Sequence, residues 1–149
     1  YERLGNFKKS DEDLLFALKL IPNNSYILNY LAYSWLERNI NISQAVKMLE
    51  VAHNKDKNNP YIADSIGWAY YLTGRYQEAE ELLREAITQM PNDPIVNDHY
   101  GDILWSLNKK IQAKYYWNSV LKFKDTDEEM KKKIKKKLLF GPKNLNANI

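Results

Sequence analysis

The strongest constraint on the fold is a recurrence of small side chains at a near-constant interval. Ala45, Ala79 and Ala113 are separated by 34 and 34, and Ala32, Gly67 and Gly101 form a second series at 35 and 34. The two series interlock: Ser10 to Ala32, Ala45 to Gly67 and Ala79 to Gly101 are each a step of 22, and the return step is 12 in two units and 13 in the third. One residue inserted inside a helix would rotate every later side chain by about 100°, so the extra residue belongs to a turn, here between Asn39 and Ile42. Helix axes approach to about 8 Å where one of the facing side chains is small, which gives each recurring Ala or Gly a packing role.

The periodicity within a unit is helical. In Pro60 to Thr73 the residues Ile62, Ala63, Ile66, Gly67, Ala69 and Tyr70 recur at three and four, and Gly74 stands where a helix would end. Tyr76, Ala79, Leu82, Leu83, Ala86 and Ile87 repeat the pattern up to Pro91. Further on, Thr126 to Glu129 reads as a capping box, with the Thr126 hydroxyl accepting from the Glu129 amide. Met130, Ile134 and Leu138 then form one apolar stripe among six lysines. The spacing predicts a terminal helix whose stripe covers the last unit and whose lysines face water.

The segment Ser65 to Pro91, SIGWAYYLTGRYQEAEELLREAITQMP, resembles the tetratricopeptide repeat. That repeat favours a small residue at position 8, an aromatic at 11, small residues at 20 and 27, and Pro at 32; Gly67, Tyr70, Ala79, Ala86 and Pro91 match all five. Ala32, Trp35, Ala45, Ala52 and Lys57 occupy these positions in the preceding unit, and Gly101, Leu104, Ala113, Val120 and Asp125 in the following one. The wording NYLAYSW, DSIGWAYYLTGRYQEA and NDHYGDILW is also similar to the C-terminal repeats of long bacterial tetratricopeptide proteins.

The resemblance implies an all-α, right-handed superhelical solenoid of antiparallel helix pairs with a C-terminal capping helix. Its expected divisions are residues 1–24 as a partial repeat, the end of one helix plus a whole second helix, then repeats at 25–59, 60–93 and 94–125. A Lys-rich capping helix at 126–140 and a frayed tail at 141–149 complete the scheme. Because the chain opens with half a unit, further repeats are expected before Tyr1.

Composition removes several chemistries. Zero cysteines exclude a disulfide framework, a thiolate nucleophile and Cys-containing zinc sites. His53 and His99 have no second His at the spacing of a helical metal site, and neither a Gly-rich phosphate loop nor a G-x-S-x-G elbow occurs. No catalytic constellation emerges, and no cofactor, metal or enzymatic role is expected. The most apolar stretch, Tyr61 to Leu72, includes Asp64 and falls well short of the ~20 residues that a bilayer-spanning helix needs. A soluble chain is therefore expected, with cytoplasm and periplasm both open.

The formal charge of +3 hides two opposed parts: residues 1–108 hold 10 Lys/Arg against 15 Asp/Glu, and residues 109–149 hold 12 Lys against 4 acids. The resemblance places ligand contacts at positions 2, 5, 9, 12 and 13 of each first helix. These are Tyr26, Asn29, Tyr33, Leu36 and Glu37; Tyr61, Asp64, Trp68, Tyr71 and Leu72; and Ile95, Asp98, Asp102, Trp105 and Ser106. No Lys or Arg falls there, unlike the clamps that grip the C-terminal carboxylate of chaperone peptides. Because these positions oppose Ala32, Gly67 and Gly101 on their helices, their aromatics are expected to be free of packing duty.

The groove expected to bind peptide comprises Asn29, Tyr33, Tyr61, Asp64, Trp68, Tyr71, Asp98, Asp102 and Trp105. Aromatic faces beside carboxylates suit an extended, basic or apolar segment, and a non-catalytic interaction scaffold for a protein or peptide partner is the leading reading. The competing readings are binding of nucleic acid or an anionic surface through the C-terminal lysines, and an accessory module of a larger enzyme or assembly. Nucleic acid is disfavoured, since that helix lacks Arg and has one nearby aromatic, Phe140. Self-association through an uncovered repeat face at Tyr1 stays open.

Overall fold

A computed structural model describes residues 4–142. It holds eight helices and, among the described residues, no strand: α1 (Leu4–Leu20), α2 (Ser25–Glu37), α3 (Ile42–Lys55), α4 (Pro60–Leu72), α5 (Tyr76–Gln89), α6 (Pro94–Ser106), α7 (Lys110–Lys122) and α8 (Glu128–Phe140). The helices pack in chain order, with α2 on α3, α4 on α5 and α6 on α7 as the most intimate pairs; α4 also touches α2 and α6. Residues 1–3 of the expected partial repeat, and the expected tail of 141–149 from Lys143 on, lie outside the described residues; Gly141 caps the end of α8. From Leu4 onward α1 is a single helix running through Gly5.

The starts of the first helices are written in register. Asn24, Asn59, Asp93 and Asp127 are the N-caps of α2, α4, α6 and α8, each accepting a backbone N–H of the first turn through its side-chain oxygen. Pro60 and Pro94 follow at the first helical position, where a missing N–H costs nothing. The caps recur at intervals of 35, 34 and 34, so α8 begins where the first helix of another unit would begin. The capping box expected at Thr126 is therefore displaced by one residue: Asp127 accepts from the Met130 amide at 2.8 Å, and the buried Thr126 hydroxyl instead donates to the Val120 carbonyl at 2.7 Å.

The turns inside the pairs explain the return steps of 12 and 13. Residues 73–75 and 107–109 connect α4 to α5 and α6 to α7, and 38–41 connect α2 to α3 with one residue more. Gly74 and Asn108 stand at equivalent points with φ +84° and 63°, and the longer turn places both Asn39 and Asn41 in the left-handed region. Each pair then closes on its small residues. Ala32, Ala45, Ala79 and Ala113 are fully buried; an added Cβ on Gly67 would meet the Leu83 side chain and lie 3.3 Å from the Ala79 carbonyl, and one on Gly101 would lie 2.6 Å from Cδ1 of Trp117.

One continuous core runs from α2 to α8, through Leu31, Leu49, Ile66, Leu83, Ile103, Trp117 and Ile134. Ile134 carries the apolar stripe of α8 into it, as the spacing of Met130, Ile134 and Leu138 predicts. Leu36, expected on the ligand-facing side, is 3 % exposed and belongs to this core instead. At the other end Asp11 of α1 accepts from Trp35 Nε1 at 3.0 Å and from Arg38 at 2.7 Å, fastening α1 to α2.

Candidate functional site

The first helices α2, α4 and α6 stand side by side, and their facing residues form one wall. Between them and α1 opens a cavity of about 470 Å³. Asn29, Tyr33, Tyr61 and Asp64 line it, together with Tyr30 and Glu37. Tyr61 and Tyr30 are exposed, whereas Tyr33 is half-buried. Burial, with Glu37, Asp64 and Asp98 nearby, holds the Tyr33 hydroxyl protonated well above the ordinary tyrosine range. Asn29 Oδ1 is buried without a hydrogen-bond partner among the described residues. This end of the wall thus combines rings, an unpaired acceptor and carboxylates.

The other end is closed by charge pairs that the sequence reading did not anticipate. Lys137 of α8 is buried and donates from Nζ to Asp98 at 2.6 Å and to both oxygens of Asp102 at 2.9 and 3.0 Å. Lys133 adds a contact of 3.2 Å to Asp98. The expectation that the lysines of this helix face water is corrected for Lys137: α8 occupies the place of a first helix, so its side toward α6 meets the α6 carboxylates. One unit earlier, His99 Nδ1 lies 2.9 Å from Asp64.

These partners share one offset. Asp64 with His99, Asp98 with Lys133 and Asp102 with Lys137 are each 35 residues apart, one repeat plus one residue. The spacing was available in the sequence as an acid followed 35 positions later by a base. Position 5 of one first helix therefore faces position 6 of the next.

Electrostatics follow the geometry. Burial opposes charge on Asp98, but Lys137 and Lys133 overcome it and hold its carboxyl below the ordinary range. Burial dominates at Asp102 and pushes it up to about 6 despite Lys137. The Lys137 ammonium loses hydration, yet Asp102 and Asp98 keep its pKa above the usual value. At His99 burial disfavours the imidazolium; Asp64, with Asp98 and Asp102 behind it, more than offsets this and raises the pKa.

The aromatics connect the two ends. The Trp68 ring stacks on Tyr71, with centroids 4.7 Å apart, and on His99 at 4.0 Å. Trp105 lies 5.5 Å from Trp117, under Lys110 Nζ at 4.8 Å, and an added Cβ on Gly141 would sit 2.9 Å from it. Trp68, Tyr71 and Trp105 are half-buried and pack against the core. The expectation that they are free of packing duty is corrected: the side opposite the small residues is also the side on which neighbouring first helices meet. The structure brings Asn29, Tyr33, Tyr61 and Asp64 around one cavity, and places Trp68, Tyr71, Asp98, Asp102 and Trp105 in the contacts that join α4, α6, α7 and α8.

No helix among the described residues is long and apolar enough to cross a membrane. Comparison with known proteins agrees with the repeat pattern. A family model described as tetratricopeptide repeat matches residues 60–93. The TPR repeat-containing protein PA4667 of Pseudomonas aeruginosa is 32 % identical over 101 residues, 68 % of this chain, which spans 17 % of that relative's length. Among solved structures, the thermophilic TPR protein TTC0263 of Thermus thermophilus superposes with a TM-score of 0.74 at 18 % identity, covering 91 % of this chain and 75 % of that one. The first TPR of Spaghetti (RPAP3), bound to the HSP90 peptide SRMEEVD, gives 0.63 at 17 % identity over 75 % of this chain and 88 % of that one. The recurrent small residues, the paired helices in register and these likenesses together make this chain a member of the tetratricopeptide-repeat proteins.

Proposed function

We propose that the chain is a non-catalytic scaffold that holds an extended, basic or apolar segment of a partner protein in the cavity between α1, α2, α4 and α6. The observation that carries this reading is the lining itself: the rings of Tyr30, Tyr33 and Tyr61 stand beside the carboxylates of Glu37 and Asp64, with no lysine or arginine among the described lining residues. Ring faces attract ammonium or guanidinium groups by about 0.5–2 kcal/mol each, and carboxylates add charge-assisted hydrogen bonds. The RPAP3 repeat domain holds an acidic peptide; the acidic lining here favours the opposite charge. Asp98 and Asp102 are held by Lys137 and Asp64 by His99, so charge selection falls chiefly to the exposed Glu37.

Fluorescence anisotropy with extended peptides that alternate Lys or Arg with apolar residues tests the reading, with Glu-containing counterparts as controls. Tight binding of the basic set is expected, weakened about tenfold or more by Tyr33→Ala with Tyr61→Ala. The Glu37→Lys variant should shift preference toward the acidic set. Equal affinity for both sets, or an unaltered affinity in the tyrosine double variant with helix content intact, would reject the cavity as the site.

A further inference from the structure

We propose that the C-terminal end of α8 is a docking surface for an anionic lipid bilayer. Lys137 is committed to the acids of α6, but the outward side of the same helix is differently built. A cleft of about 690 Å³ runs along the flank between this side and α6, lined by Lys132, Lys133, Lys136, Lys137 and Phe140, with Glu129 as the one acid among its described lining residues. The lysine stems and the Phe140 ring supply apolar wall, and Lys132 and Lys136 are exposed beside it, whereas Lys133 reaches Asp98 at 3.2 Å. Phe140 is 82 % exposed and the adjoining Leu139 is 76 % exposed.

Two large apolar side chains left in water beside a cationic rim match the boundary between headgroups and acyl chains. There the phosphates neutralise the lysines and the hydrocarbon accepts Leu139 and Phe140. The charge distribution points the same way, since residues 109–149 hold 12 Lys against 4 acids. Nucleic acid is the weaker fit: α8 has no arginine, and Phe140 is its single ring for stacking. Leu139 has no counterpart in a phosphate backbone.

The test is co-sedimentation of the whole chain with vesicles of phosphatidylcholine, alone or with about a third phosphatidylglycerol. Binding is expected to the mixed vesicles and not to phosphatidylcholine, falling steeply between about 0.1 and about 0.5 M salt. Lys132→Glu with Lys136→Glu should abolish it. Leu139→Ser with Phe140→Ser should lower partitioning about tenfold at unchanged charge. All four positions lie on the outer side of α8, so circular dichroism should be unaltered. Equal binding to both vesicle types, insensitivity to either double variant, displacement by millimolar inorganic phosphate at constant ionic strength, or capture of duplex DNA without capture of vesicles would each overturn the proposal.

Discussion

Gly101 shows how little room the repeat leaves a single residue. A Cβ there would press on the indole of Trp117, with Cδ1 and Cε2 at 2.6 and 2.9 Å, and Trp117 is fully buried. Gly101→Ala is expected to lose about 1–3 kcal/mol by overpacking, against about 1 kcal/mol gained in helix propensity. Gly67→Ala should cost less, because its main obstacle is the end of the Leu83 side chain, which rotates. Urea unfolding of the two variants gives the order directly.

His99 supplies a pH-dependent contribution. Its folded-state pKa is raised by Asp64 and the acids behind it, against the opposing effect of burial. The stabilisation is therefore complete below the ordinary imidazole value of about 6.5 and fades as pH rises through the raised value. His99→Gln should lose more stability near about pH 5.5 than near about pH 8.5. A loss that grows with pH would refute the assignment. Gly67 and Gly101 were legible in the sequence because their spacing repeats. His99 was not, because its partner arrives from another helix and the offset between them carries meaning only once the first helices stand side by side.

At the scale of the helix, α8 is the informative element. Its existence, apolar stripe and role as cover for the last pair follow from Met130, Ile134 and Leu138. Its exact start and its buried lysine do not, since a one-residue shift of the cap is invisible to a local motif. The recurrence of Asn24, Asn59, Asp93 and Asp127 would have located it. Asp127→Ala should cost about 1 kcal/mol, whereas Glu129→Ala should cost little. Lys137→Met should cost about 3 kcal/mol or more, because Asp98 then keeps Lys133 alone in direct contact and Asp102 stays buried without a paired cation. Adding Asp98→Asn and Asp102→Asn should recover much of that loss. Hydrogen exchange along α8 reads both steps, and equal protection in the single and triple variants would contradict them. Asn29, Tyr33, Tyr61 and Asp64 meet around one cavity whereas Asp98 and Asp102 meet Lys137, because a family position marks a direction from a helix but says nothing of which neighbour fills it.

Over the whole molecule, stability passes from each helix pair to the next through one shared core, so an insult in the middle should propagate. Ala79→Leu forces α4 and α5 apart at a fully buried point and is expected to cost about 1–3 kcal/mol. A thermal transition that lowers in midpoint while staying single would show that the pairs melt together. The pairings between successive first helices also mean that the units are not interchangeable tiles. A second copy of 60–93 inserted after the first would set Asp64 against a serine, a mild exchange. Duplicating 94–127 would instead press Asp102 against an isoleucine, stranding an acid in an oily seam. The array can be lengthened by copying its middle, and its last unit is made to be used once.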